Sequence, residues 1–318
     1  MKSIIAVGIV AMACTVAGAD QKELTGKLAV FHAGSLSVPF KQISAEFRKR
    51  HPKVTIQLEA AGSRTCARKI SDLKRRCDVM ASADYTVIDQ LLVPQFAEWN
   101  IKFAANEMTI VYHEGSRRAD EITADNWQDI LLDPGVAFGR SDPNADPCGY
   151  RAVLTMKLTQ LHTGRPGLAD ALLKKDARNI RPKETDLLAL LESNTIDYIF
   201  LYRSVAQQHG LKFLTLPDAV NLKSADLCDD YAKATVDISG KTPGTFITKK
   251  GAPMVYGITI PKSSENPAVA EAFVAFILHE KHGRRIMEAL GQPSVIPSTS
   301  STYARIPEGL RQFARAVE

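Results

Sequence analysis

The chain has 318 residues, enough for about two domains. Hydrophobic residues at 45% and charged residues at 24% are ordinary for a packed globular protein and exclude wholesale disorder. The net charge of +5 is spread along the chain, and its densest basic run, Lys74-Arg75-Arg76, reads as a solvated turn rather than the basic face of a nucleic-acid binder.

In chain order, Met1-Lys2-Ser3 is a short basic start, Ile4 to Ala13 is almost unbroken apolar sequence, and Ala17-Gly18-Ala19 places small residues before a polar stretch. This pattern predicts a secretory signal peptide over 1–19, too short in its apolar part to span a membrane. Cys14 lacks a Leu three positions before it, so cleavage after Ala19 is expected rather than lipid attachment. Leu28-Ala29-Val30-Phe31 reads as a buried strand, and Val38 to His51 as a helix with Phe40, Ile43 and Phe47 on its inner face and Pro52 stopping it. Val54 to Leu58 is a second strand, Ala61 to Leu73 a second helix start and helix, and Asp78 to Ser82 a third strand. The alternation continues through a strand at Met108–Tyr112, another at Val136–Gly139, a helix from Pro147 to about Leu161, a helix at Lys183–Ser193 and a strand at Tyr198–Leu201. A helix at Ser204–His209 and a strong strand at Met254–Pro261 follow, and helices are expected at Pro267–His279, Gly283–Leu290 and Pro307–Val317. Strands alternating with helices predict an α/β fold with mixed, mostly parallel sheets. With no Gly/Ser linker between the halves, strands crossing between two lobes are expected near Glu107–Tyr112 and Ala252–Tyr256, giving a first lobe of 27–110 plus 256–318 and a second of 111–255.

Four cysteines follow the signal: Cys66, Cys77, Cys148 and Cys228. None has zinc spacing, and Cys66 and Cys77 lie about 16 Å apart if the intervening residues are helical. Buried thiols or one structural bridge are the expectation.

Four segments place small or polar residues where a helix begins: Gly34-Ser35-Leu36-Ser37, Gly62-Ser63-Arg64-Thr65, Asp146-Pro147-Cys148-Gly149 and Arg181-Pro182-Lys183-Glu184-Thr185. At least two follow a strand directly, at the sheet edge where α/β folds bind ligands. Helix starts present free backbone N–H groups and the positive end of a dipole, so several converging on one cleft would hold an anion without Arg or Lys. The plain alternative for each is helix capping. Asp146 and Glu184 stand out because carboxylates repel anions, which leaves them as caps, proton carriers or ligands to a metal centre. Enzyme signatures are missing: no Gly-x-Ser-x-Gly, P-loop or Gly-x-Gly-x-x-Gly occurs, and nothing places a buried acid behind His32 for a triad with Ser35. A Cys or Ser hydrolase built on Cys66, Cys148 or Ser35 stays as a minor alternative.

Taken together, His32-Ala33-Gly34-Ser35-Leu36-Ser37-Val38-Pro39-Phe40 and Asp146-Pro147-Cys148-Gly149-Tyr150-Arg151 resemble the periplasmic molybdate/tungstate-binding proteins of ABC importers, in the branch common in archaea. Supporting similarity runs through Ala81-Ser82-Ala83-Asp84-Tyr85, Arg181-Pro182-Lys183-Glu184, Tyr202-Arg203-Ser204 and Leu290-Gly291-Gln292-Pro293. The resemblance implies a monomeric, two-lobed, hinged binding protein of the type II-like class, outside the cytoplasmic membrane, delivering one oxyanion to a permease and its ATPase. It implies an anion held by Gly34, Ser35 and Ser63 from one lobe and by Asp146, Pro147, Cys148, Glu184 and Tyr202 from the other. Asp146 and Glu184 would bond the molybdenum or tungsten itself, with no cofactor and no enzymatic activity. A sulfate or phosphate binder, or a sensor domain without a permease, are the other readings of the same fold.

Overall fold

The structure, a computed structural model, describes residues 23–317, so the signal peptide and Cys14 lie outside the described residues. The strands run β1 (Gly26–Ala33), β2 (Val54–Ala61), β3 (Val79–Ser82), β4 (Ile101–Ala105), β5 (Met108–Tyr112), β6 (Phe138–Ser141), β7 (Ile180–Arg181), β8 (Tyr198–Tyr202), β9 (Lys212–Thr215), β10 (Thr235–Ser239), β11 (Phe246–Lys250) and β12 (Val255–Thr259), followed by β13 (Ser298–Ser300) and β14 (Ala314–Ala316). One sheet has the order β2-β1-β3-β12-β4 and the other β7-β6-β8-β5-β9. In each, a single strand is reversed: β12 is antiparallel to β3 and β4, and β5 is antiparallel to β8 and β9. The sheets are therefore mixed and mostly parallel, as the βα alternation requires.

The chain passes from the first sheet to the second at Asn106–Glu107 and returns between β11 and β12. Met108–Ile110, expected in the first lobe, pair instead in the second sheet, and Val255, expected in the second, opens β12 of the first. The change of sheet falls on the polar Asn106-Glu107 pair between two apolar strands, not inside a strand.

Local sequence explains the elements around the site. In the helix Ser37–Arg50 the buried residues include Phe40, Ile43 and Phe47, one face at helical spacing, and Phe47 meets Phe273 and Phe276 edge-on at 5.1 and 5.3 Å. Its last turn carries Arg48, Lys49 and Arg50, which suit the negative end of the dipole. The helix Pro147–Thr163 starts on Pro, ends on Gly164 in the left-handed region (φ 64°) and is buried through most of its length. Among the described residues no helix is long and apolar enough to cross a membrane.

One expectation is corrected, and that of buried thiols is met at three of the four cysteines. The helix at Pro307–Val317 is a 3₁₀ helix at Glu308–Phe313 followed by β14, which pairs parallel with β13. Its two buried residues, Leu310 and Phe313, are three apart, a spacing that a 3₁₀ turn eclipses and a short α-helix does not need. Cys66 and Cys77 are both free and share one apolar cluster with Phe31, Ile70 and Met80, because the helix stops at Ser71 and the chain doubles back. Cys148 is a buried free thiol as well, whereas Cys228, expected buried, is free and exposed.

Candidate functional site

The four helix starts meet where the two lobes touch. Gly34 begins a 3₁₀ turn (Gly34–Leu36) after β1, and a Cβ there would stand 2.9 Å from Glu184 Oε1 and 3.0 Å from Oε2. Only a residue without a side chain lets that carboxylate approach the backbone. Gly62 closes β2 and caps the helix Ser63–Ser71, and its Cβ would fall 2.4 Å from the Ala145 carbonyl oxygen of the other lobe. The same carbonyl accepts from Thr65 N–H at 3.2 Å, so a loop of the second lobe takes up a free donor at a helix start of the first. Arg64 adds Nε to the Asn144 carbonyl at 3.0 Å.

Asp146 caps the helix Pro147–Thr163, its Oδ1 accepting from Cys148 N–H at 3.2 Å. Its Oδ2 accepts from Glu184 N–H at 2.8 Å, which ties the two acidic residues together. Glu184 lies in the turn before the helix Asp186–Glu192 rather than in its first turn, since that helix begins later than the expected Lys183. Both carboxyls are fully buried; no hydrogen bond of ordinary geometry reaches either of the Glu184 oxygens, which lie beside the Asp146 carboxyl and the Ser35 backbone. Burial, and after it the charge of Asp146, pushes the Glu184 carboxyl well above its ordinary range; burial raises Asp146 as well.

The remaining candidates surround this pair. Ser35 Oγ accepts from Tyr256 Oη at 2.9 Å, and Ser63 Oγ accepts from Ala83 N–H at 2.9 Å. Each hydroxyl is left with a proton to donate. Pro147 has no N–H to offer and contributes the fixed first turn of its helix. Cys148 donates its thiol to the Phe200 carbonyl at 3.6 Å, and burial followed by the charges of Asp146 and Glu184 pushes it far above the ordinary thiol range. Such a thiol is no nucleophile. His32 is buried against Phe40 and pushed down to about 4 by burial, so it is no base for Ser35 either. Tyr202 ends β8, and its ring stands 6.3 Å from that of Tyr256. Thus all eight candidate residues lie in one buried region at the carboxyl ends of strands from both sheets.

A polar network beside it is invisible in the sequence. Arg151 Nη1 donates to Tyr202 Oη at 3.0 Å and across the lobes to the Ala83 carbonyl at 2.8 Å. Asp84 caps the helix Tyr85–Leu91 through Thr86 N–H and accepts from Tyr150 Oη and from Lys249 Nζ, the latter at 3.0 Å. Burial works to raise the Asp84 carboxyl, but Lys249 and Arg151 hold it well below the usual range. Beyond Arg151 an open cavity of about 370 Å³ is lined by Asp84, Lys102, Lys249 and Lys250, and by none of the eight candidates. Arg151→Met is expected to cost about 3 kcal/mol in urea denaturation, because it strips the donor from Tyr202 and Ala83 and removes a buried countercharge of Asp84.

Among the described residues no group of three or more His, Cys, Asp or Glu side chains could cage a free metal ion. What the site presents is two buried acids side by side, with the hydroxyls of Ser35, Ser63 and Tyr202 among the residues around them. Such an arrangement suits a ligand that is negative at its rim and electrophilic at its centre.

The chain is similar over most of its length to known proteins. A protein of Petrotoga mobilis described as an uncharacterised solute-binding protein is 49% identical over 299 residues, covering 92% of each chain. The molybdate/tungstate-binding protein WtpA of Pyrococcus abyssi is 42% identical over 321 residues, covering 92% of this chain and 91% of its own. Among solved structures, the periplasmic molybdate-binding protein of Azotobacter vinelandii matches with a TM-score of 0.61 over 85% of this chain and 99% of its own; at 18% identity it shows the shared two-lobed fold. The sequence profile of the bacterial extracellular solute-binding proteins matches residues 28–291, and the chain belongs to that family.

Proposed function

We propose that the protein takes up a single molybdate or tungstate anion between its lobes and delivers it, as a monomer outside the cytoplasmic membrane, to the permease and ATPase of an ABC importer. The observation that carries this reading is the Glu184 carboxyl, fully buried against Asp146 with no hydrogen bond of ordinary geometry to either oxygen. An orphaned buried acid costs free energy that a ligand must recover. Molybdenum and tungsten accept further oxygen ligands, so Asp146 and Glu184 would bond the metal while backbone N–H groups and the hydroxyls of Ser35, Ser63 and Tyr202 hold its oxygens. Sulfur in sulfate does not expand its coordination in this way, so it would gain no bond from the two carboxyls that line the site. The name of the Pyrococcus abyssi relative supports the choice of anion. In this reading the lobes comprise 26–105 with 255–317 and 108–250, and binding shifts the population toward the arrangement in which they touch.

Calorimetric titration of the mature chain, stripped of metal oxyanions, tests the reading. Tungstate and molybdate are expected to bind one-to-one and tightly, with no heat from sulfate and no competition by it in excess. Equal binding of sulfate would transfer the site to tetrahedral oxyanions at large.

A further inference from the structure

Ser35 is the last member of a chain of hydrogen bonds that begins where the backbone crosses between the lobes. Asn106 is buried between β4 and β5, and its Oδ1 accepts from the backbone N–H groups of Glu107 at 3.0 Å and Ser204 at 3.4 Å. A backbone N–H only donates, so these contacts settle which end of the amide is oxygen. The Nδ2 group faces the other way and donates to Ser204 Oγ at 2.7 Å and Tyr256 Oη at 2.9 Å. Having accepted from Asn106, the Tyr256 hydroxyl directs its one proton to Ser35 Oγ at 2.9 Å. Burial pushes Tyr256 up to about 12, which keeps that proton in place at neutral pH. Gln292 Nε2 holds the Ser35 carbonyl at 3.1 Å and fixes the backbone around it.

We propose that Tyr256 is a positioning residue that, oriented by Asn106 at the crossing, makes the Ser35 hydroxyl an obligate donor to the bound oxyanion. The proposal rests on the molybdate/tungstate reading above and adds the control of its hydrogen-bond polarity. A fully ionised oxyanion offers acceptors only. A serine hydroxyl free to rotate would turn its lone pairs toward the anion part of the time; one already accepting from Tyr256 has its proton left for the ligand. Because the direction originates in the main chain at the crossing, the hinge and the polarity of the site are set by the same residues.

A double-mutant cycle on tungstate affinity separates this role from a structural one. Ser35→Ala is expected to weaken binding about 10- to 100-fold, the loss of one hydrogen bond to a charged group. Tyr256→Phe, with Ser35 present, is expected to weaken it about 10-fold, and to have no further effect once Ser35 is Ala. Asn106→Asp asks the same question with an intact Tyr256: an ionised carboxylate draws the Tyr256 proton toward itself, so the same Ser35-dependent loss is expected. A wild-type chain that binds neither tungstate nor molybdate overturns the ligand reading and the relay together. A wild type that binds, with Tyr256→Phe leaving affinity unchanged or adding its full loss to that of Ser35→Ala, overturns the relay alone.

Discussion

Gly62→Ala is expected to weaken tungstate and molybdate binding by at least about 100-fold, roughly 2.7 kcal/mol, while the unliganded chain keeps its melting temperature within about 4 °C. The backbone at Gly62 (φ −56°, ψ 138°) is open to any residue, so alanine introduces no conformational strain there. As a cap, alanine ranks below glycine, at a cost of about 1 kcal/mol to the helix Ser63–Ser71. The obstacle is its Cβ, which would stand 2.4 Å from a carbonyl oxygen of the opposite lobe. The lobes relieve that clash by moving apart, which keeps each one folded but separates Ser35 and Ser63 from Asp146 and Glu184. Titration calorimetry beside a thermal melt reads both effects. Unchanged affinity would mean that the anion is held without the two lobes meeting at this point.

Glu184→Gln is expected to reduce tungstate affinity by about 100-fold or more and to raise sulfate binding from undetectable to measurable. The substitution keeps the shape but removes the carboxyl oxygen that would bond a metal centre, and puts an amide that donates to anion oxygens in its place. It should also change the pH dependence of the unliganded protein. The Glu184 carboxyl is raised well above its ordinary value of 4.5 in the folded chain. As pH climbs past 4.5, the unfolded chain gives up this proton while the folded chain retains it, so stability is lost with rising pH through the raised value. Melting curves from pH 4 to 8 should show that decline in the wild type and a shallower one in Glu184→Gln. If tungstate affinity instead held and sulfate binding stayed undetectable, Glu184 would be no more than part of the turn before its helix.

These residues also show how far the sequence could be read. Phe40, Ile43 and Phe47 announce a helix because one stripe of a surface helix must be apolar, and the structure buries that stripe. The helix starts at Gly34, Gly62 and Asp146 were legible because each joins small or capping residues to an apolar run. The hairpin of β10 and β11 was not predicted, although Thr235-Val236-Asp237-Ile238-Ser239 alternates polar and apolar as a half-buried strand does. Nor was the ending of the chain, where Leu310 and Phe313 satisfy a 3₁₀ spacing within a pattern that also allows a helix.

In the site, the residues themselves named the donors and the odd acids, and the family resemblance supplied their convergence. The supporting network escaped both. Asp84 meets Tyr150 across 66 residues and Lys249 across 165, and no local pattern encodes a partner at that distance. Asn106 and Tyr256, 150 residues apart, are hidden for the same reason, although a polar Asn-Glu pair between two apolar strands is a signal that something other than packing is set there.

The order of strands in the first sheet bears on how the molecule is assembled. β12 lies between β3 and β4, so β4 has no neighbour in its own sheet until residues 255–259 arrive. The second sheet draws all five strands from 108–215, one uninterrupted stretch. The lobe that opens the chain is thus the last to be completed as the chain is made, and the lobe encoded in the middle is the first that can stand by itself.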